Sequence, residues 1–227
     1  MIKSSTLPLF LLAGGLLVGA CGGNDPATVD AEVGDAIDAA EAQAGQVMKS
    51  VTYDVVPGQS KVMWTGSKFT GDSHTGTLDV RDGRIAVANG KLVGGEFTID
   101  MNSLADTDLE GEGKAKLEGH LKSADFFDTE KYPEATFTLV QVQPVTGQDG
   151  VTHTLTGNLK MLDATKSITI PANVVVTDES ITAVTPAFEI NRTDWGVKYG
   201  SGLLGVAQDK AISDEVKLVI DLKASRA

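Results

Sequence analysis

The chain has 227 residues, of which 41% are hydrophobic and only 5% aromatic, and its formal net charge is −12 at pH 7. This acidic balance excludes proteins that bind nucleic acid or adhere electrostatically to lipid headgroups, because both targets present anionic phosphates. The chain contains a single cysteine, Cys21, which excludes an intrachain disulfide framework.

Residues 1–20 combine one early lysine, an apolar run and a stretch of small residues, which is the layout of a signal peptide. The apolar run is too short for a membrane-spanning helix. The sequence VGAC at 18–21 resembles a bacterial lipobox, in which cleavage before the cysteine leaves a lipid-modified N-terminus. An ordinary secretory signal with a chance cysteine is the alternative. We predict an exported lipoprotein that acyl chains on Cys21 hold at a membrane.

Residue Gly22 bears on which membrane this is. The position after Cys21 is Gly22 and not the aspartate that retains enteric lipoproteins at the inner membrane. The outer membrane is therefore favoured if the host has two membranes. The protein would then face the periplasm or the cell surface.

The stretch that follows, residues 21–49, is rich in alanine and acidic residues and has no lysine or arginine before Lys49. Its apolar surface is too small to offset the entropy lost on ordering, so we predict a self-repelling, extended tether. Residues 50–227 are then one domain, long enough for a substantial core or an enclosed cavity.

Alternating apolar and polar residues recur along this domain and predict antiparallel β-strands. The candidate strands are 51–56, 60–68, 74–80, 84–87, 97–101, 135–143, 155–161, 166–176, 181–190 and 216–222. Glycine- and aspartate-rich turn signals are predicted at 82–83, 89–90, 147–150 and 178–180.

One helical pattern interrupts the strands, at residues 112–127, where Leu117, Leu121 and Phe126 lie on roughly one face. Strands of this number and spacing build either a sandwich or a barrel. A single short helix favours the barrel, because it can cover an open end of a sheet that has closed on itself.

Neither a catalytic site, nor a metal site, nor a cofactor is predicted from the polar residues. The three histidines, His74, His120 and His153, are far apart in the sequence and have no partner at helical spacing. The glycines at 200–205 match a dinucleotide fingerprint, but no βαβ unit surrounds them. No nucleophilic serine motif accompanies His74.

Several polar and aromatic residues leave alternatives open. His120 either fixes the helix to the barrel rim or contacts a ligand. Arg192 either pairs with Asp194 at a structural corner beside Trp195 or holds the polar head of a ligand. The adjacent Phe126 and Phe127 precede the helix-stopping Pro133 and point in different directions. One ring is expected to seal the barrel mouth and the other to pack under the helix.

Four segments in this order make the chain resemble the YceI-like family of lipid- and polyisoprenoid-binding proteins. They are GKLVGGEFTIDMNSL (90–104), LEGHLKSADFFDTEKYPEATF (117–137), LTGNLKMLDATKSITIPANV (155–174) and FEINRTDWG (188–196). The resemblance implies an all-β fold, a lipocalin-like antiparallel barrel that encloses a long apolar chain, and no enzymatic activity. The stretch around Trp64 differs, and is typical of a lipoprotein subgroup whose ligand is different or absent.

On this resemblance we expect a binding protein for an amphiphilic isoprenoid or fatty-acyl lipid. A solid-cored interaction module without a ligand is the alternative. The candidate lipid-binding residues are Phe97, His120, Phe126, Phe127, Phe137, Phe188, Arg192 and Trp195.

Replacing Cys21 by serine is expected to release the protein from the membrane fraction, because the acidic chain has no other predicted means of attachment. The measurement is the distribution of the variant between soluble and membrane fractions after a high-salt wash. A variant that stays in the washed membranes would contradict the lipoprotein assignment.

Overall fold

A computed structural model describes residues 28–39, 50–202 and 211–227. The predicted signal peptide, the lipobox and Cys21 lie outside the described residues. In the described part of the chain, no helix has the length and apolar character needed to cross a membrane.

Strands dominate the described residues, with one α-helix and one 3-10 helix between them. In chain order the elements are β1 (Val29–Asp30), β2 (Glu32–Asp35), β3 (Val51–Val55), β4 (Lys61–Lys68), β5 (Ser73–Ala88), β6 (Lys91–Asp106), α1 (Gly111–Lys122), β7 (Glu134–Pro144), β8 (His153–Met161), β9 (Ala164–Val176), β10 (Ser180–Val184), β11 (Phe188–Asn191), the 3-10 helix (Arg192–Trp195) and β12 (Ile212–Arg226).

The strands form one sheet that closes on itself. Strands β5 to β10 pair antiparallel in sequence order, and β10 pairs with β12. Strands β3 and β4 each pair with both β5 and β12, and so complete the ring. The predicted antiparallel barrel with one short helix is confirmed. Its closure pairs strand edges that would otherwise be open to pairing with another chain.

The turn predicted at Asp82 and Gly83 is wrong, because both residues lie inside the long strand β5. A Cβ atom at Gly83 would lie 2.7 Å from the Cβ of Phe97, so this glycine serves a close strand approach rather than a turn. The turn at Asn89 and Gly90 is confirmed: both have positive φ, 53° and 73°, as a two-residue hairpin between β5 and β6 requires.

Several other element boundaries differ from the sequence prediction, and β6 and β12 are both longer than predicted. The strand predicted at 181–190 is two strands, β10 and β11, which both pair with β12. The helix predicted over 112–127 ends at Lys122, where the Ser123 backbone N–H and hydroxyl both bond the His120 carbonyl. Consecutive turns then lead to Pro133 and β7.

Part of the predicted tether is attached to the barrel wall, which corrects its interpretation as free chain. Strand β1 pairs parallel with β11, and β2 pairs antiparallel with β9. The backbone N–H groups of Val29 and Ala31 donate to the carbonyls of Ala187 and Glu189, at 3.2 and 2.9 Å. The segment thus connects β11 and β9 through its own two strands.

Side-chain contacts at the C-terminal end of β2 reinforce this attachment. The Asn158 side chain accepts from the Ile37 backbone N–H at 2.9 Å and donates to the Ile37 carbonyl at 2.6 Å. Lys166 pairs with Asp35 at 3.2 Å. The residues of β1 and β2 are themselves exposed. The apolar pattern of the sequence does not indicate this contact, because it is held chiefly by main-chain hydrogen bonds and not by apolar burial.

Replacing Ala31 by proline or Asn158 by alanine is expected to destabilise the barrel, because each change removes hydrogen bonds between the N-terminal segment and the wall. A loss of about 1–2 kcal/mol would lower the thermal midpoint by about 2–8 °C. Thermal unfolding followed by circular dichroism measures the shift. Ala36→Pro, just beyond β2, is the control. Equal midpoints in all four proteins would restore the free-tether interpretation.

Candidate functional site

The barrel interior contains two apolar compartments. The larger has a volume of about 140 Å³ and lies on the side of α1. It is lined by Val62, Trp64, Gly66, Leu78, Ile99, Met101, Leu104, Leu121, Phe126, Phe127, Ala135, Leu159, Met161, Ile190, Arg192, Ile212, Ser213, Val216 and Leu218. The smaller, of about 50 Å³, is lined chiefly by aliphatic side chains and two phenylalanines.

The two compartments follow one another along the same pair of strands. On β6 and β7, Phe97 faces Phe137 and Ile99 faces Ala135. The phenylalanines line the smaller compartment, and Ile99 and Ala135 line the larger one. The two rings have centroids 5.4 Å apart. This aromatic pair therefore stands at the level where the compartments meet.

The turn after α1 closes the larger compartment. The backbone N–H of Phe127 donates to the Leu121 carbonyl and that of Phe126 to the Ser123 carbonyl, both at 3.1 Å. Phe126 is buried and Phe127 is half-buried, and both line the compartment together with Leu121. The expected division, with one ring at the mouth and the other under the helix, does not describe this arrangement.

Arg192 is buried, with 3% of its surface exposed, and pairs with Asp214 at 3.0 Å rather than with the predicted Asp194. Its guanidinium also donates to the carbonyls of Ser213 and Val197, at 3.0 and 2.9 Å. Burial lowers the pKa of Arg192, and the carboxylate of Asp214 opposes that shift. This geometry fixes the 3-10 helix to β12, which is the corner role that the sequence left open.

Three other predicted residues lie beside the compartments rather than among their lining residues. Trp195 is buried, and its indole N–H donates to the Leu159 carbonyl at 2.9 Å. Phe188 is fully buried in the wall at β11. His120 packs edge-on against the rings of Phe126 and Tyr199 and bonds Asp125 at 3.1 Å. It thus fixes the end of α1 from the outside.

Most lining residues were not among the candidate site residues, and Trp64 is the one of these that carries a polar group unpartnered within the described part of the chain. It is buried in the larger compartment, and its indole Nε1 has no hydrogen-bond partner among the described residues. A side chain at Gly76 would collide with its ring, so that glycine makes room for it. The sequence around Trp64 does not indicate a site residue, because only the fold determines whether its indole N–H has a hydrogen-bond acceptor.

Comparison with known proteins identifies the family of this barrel. The family model of the YceI-like domain matches residues 53–224. The chain belongs to the YceI-like domain family. Protein YceI from Shigella flexneri is 35% identical over 89 residues, which are 36% of this chain and 44% of that protein. The matched segment thus covers less than half of the length of these curated relatives.

Two solved structures share the fold. The crystal structure of Burkholderia cenocepacia BcnA has a TM-score of 0.54 at 21% identity, over 72% of this chain and 96% of that one. A polyisoprenoid-binding domain from Saccharophagus degradans, implicated in plant cell wall breakdown, has a TM-score of 0.57 at 18% identity, over 78% of this chain and 99% of that one. At these identities the likeness concerns the fold alone.

Arg192→Ala is expected to lower the free energy of unfolding by about 3–5 kcal/mol, because it leaves Asp214 buried without its counter-charge. Urea denaturation measures the loss. Arg84→Ala is the matched control, since Arg84 pairs with Asp54 at 3.2 Å but is 80% exposed, and exposed pairs contribute little. Similar stability of the two variants would contradict the corner role of Arg192.

Proposed function

We propose that the protein binds the apolar chain of an amphiphilic lipid, either an isoprenoid or a fatty-acyl chain, inside its barrel. The observation that carries the proposal is the apolar compartment of about 140 Å³ under α1. At roughly 24 cal/mol per Å³, an empty cavity of this size costs on the order of 3 kcal/mol of stability. A bound chain would offset that cost, which favours a binding role over a filled, purely structural barrel.

A whole ligand needs more room than the larger compartment provides, since ligand pockets usually measure about 300–1,000 Å³. On our proposal the chain continues past the Phe97–Phe137 pair, whose rings turn to join the two compartments. Met101 and Met161 line the larger one, and methionine side chains adapt readily to a changed cavity.

The unpartnered indole N–H of Trp64 is proposed to donate to an oxygen atom of the ligand. A buried donor without an acceptor costs about 1–3 kcal/mol. A carbonyl, hydroxyl or phosphate oxygen near the chain would supply the acceptor. The prediction that Phe126, Phe127, Phe97, Phe137 and Arg192 contact lipid is compatible with their positions along the lining, whereas His120, Phe188 and Trp195 would support those contacts from behind.

The family supports binding rather than catalysis, and the Saccharophagus degradans domain, which shares the fold, is described as polyisoprenoid-binding. We further propose that the protein is exported and tethered by lipidated Cys21, at the outer membrane where the host has two membranes. The support for this is the signal-peptide and lipobox pattern of residues 1–21.

Gly66→Leu tests the compartment directly. Gly66 lines it, and a Cβ atom there meets nothing within 4 Å, so leucine would occupy ligand space without a clash. We expect the variant to fold with an unchanged or higher thermal midpoint and to lose at least tenfold in affinity for a long-chain fluorescent fatty acid. Gly119→Leu is the control, since that added Cβ is equally free but on α1, away from the lining.

The same titration with Trp64→Phe tests the donor. This variant keeps an aromatic ring but loses the N–H, so it should bind the fatty acid about tenfold more weakly, as expected for one buried hydrogen bond. Native mass spectrometry of the wild-type protein provides the independent reading. The absence of co-purifying lipid, with equal titrations for Gly66→Leu and Gly119→Leu, would favour the filled interaction module.

A further inference from the structure

We propose that His74, Asp106 and Asp108 form a binding site for a divalent transition-metal ion of the Zn²⁺ class. Each residue offers one ligand atom, and these atoms all lie within 4.8 Å of one another. His74 lies at the start of β5, Asp106 ends β6, and Asp108 belongs to the connection that leads to α1. The fold therefore brings together three residues that the sequence separates by up to 34 positions.

Two of the three ligand atoms already have the separation that a shared metal ion requires. Nδ1 of His74 lies 3.0 Å from Oδ2 of Asp108. Zinc bonds histidine nitrogen and carboxylate oxygen at about 2.0–2.2 Å, which places neighbouring ligands roughly 3 Å apart. Both side chains are 35% exposed, so an ion can enter from solvent and keep water in its remaining positions.

The third residue, Asp106, has a carboxylate oxygen, unsatisfied among the described residues, that points to a ligand. Asp106 is fully buried, and its Oδ2 has no hydrogen-bond partner among the described residues. Its Oδ1 accepts from the backbone N–H groups of Asp108 and Leu109, at 3.2 and 2.7 Å. A buried carboxylate oxygen without a donor is costly, and a bound cation removes that cost.

Neighbouring groups hold the cluster in place. Glu118 accepts from the Asp106 backbone N–H at 2.9 Å, so a third carboxylate adjoins the cluster. The Glu118 carboxylate in turn pairs with Lys114 at 3.7 Å. Asp108 is held in place through its other oxygen, which accepts from the Thr75 backbone N–H at 2.6 Å. Such outer hydrogen bonds are what orients metal ligands in known sites.

The set of donors selects the kind of ion. One imidazole with two carboxylates suits Zn²⁺ or a neighbouring transition metal, whereas Ca²⁺ and Mg²⁺ prefer oxygen ligands alone. An ion here would join the start of β5 to the connection before α1. It would thereby fix the helix whose Leu121 closes the larger compartment.

The chain carries its own matched control. His120 lies 3.1 Å from Asp125 with similar exposure, 39% against 35% for His74, but among the described residues no buried carboxylate joins this pair in a cluster. If the buried Asp106 makes the site, Zn²⁺ should distinguish the two histidine pairs. If exposed histidine–aspartate pairs bind zinc by themselves, it should not.

The experiment titrates the full chain with ZnCl₂, with Cys21→Ser in every sample so that no free thiol competes. Calorimetry gives the stoichiometry, and long-range ¹H–¹⁵N spectra show which imidazole nitrogens shift. We expect one equivalent to bind, with shifts confined to the His74 ring. At a hundredfold excess over Kd the thermal midpoint should rise by about 5–10 °C.

The variants decide the assignment. His74→Ala and Asp106→Asn should each weaken zinc binding by more than tenfold, while His120→Ala should bind as the parent does. Without zinc, Asp106→Asn should unfold no earlier than the parent, because it removes a buried charge. If Asp106→Asn does not fold, the exposed His74→Ala decides alone. The proposal is overturned if the parent shows no saturable binding, or if His74→Ala and His120→Ala bind zinc equally.

Discussion

Closure of the sheet on β12 is the constraint on which the rest of the structure depends. This one strand pairs with β3 and β4 on one side and with β10 and β11 on the other. Ser60, fully buried, reinforces the corner between β3 and β4: its hydroxyl contacts the Lys223 carbonyl at 3.1 Å and accepts from the Lys223 N–H at 3.0 Å. Without this ring the apolar faces of the strands would have no common interior, and neither compartment would be enclosed.

The cavity is apolar, and the polar groups that organise its rim lie around it. Arg192 and Asp214 tie the 3-10 helix to β12, and α1 with the turn after it covers the same end. The cluster of His74, Asp106 and Asp108 lies where β6 continues toward α1. Polar interactions therefore position α1 and the turn after it, while burial of apolar surface defines what the cavity can hold. On the proposed function, this separation would let the protein admit a lipid chain by moving side chains without opening its sheet.

The N-terminal segment links the barrel to its proposed anchor. With β1 beginning at Val29, only seven residues lie between the wall and Cys21, and the eight Cα–Cα steps from Cys21 to Val29 span at most about 29 Å when fully extended. A lipidated protein with this attachment would remain close to the bilayer from which it would draw its ligand. If Cys21 is lipidated as proposed, the main-chain hydrogen bonds of β1 and β2 would limit this distance, which the composition of the segment does not reveal.

The sequence by itself determined most strands of the barrel wall, the hairpin at Asn89 and Gly90, and the existence of the helix, because alternation, turn chemistry and helical periodicity are local properties. Its four ordered segments also indicated the family. Only the tertiary structure decided that Arg192 pairs with Asp214, that residues 29–35 join the wall, and that His74 meets Asp106. Those contacts depend on the register with which distant strands close the ring, and register is fixed by the packing of the whole barrel rather than by any short stretch of sequence.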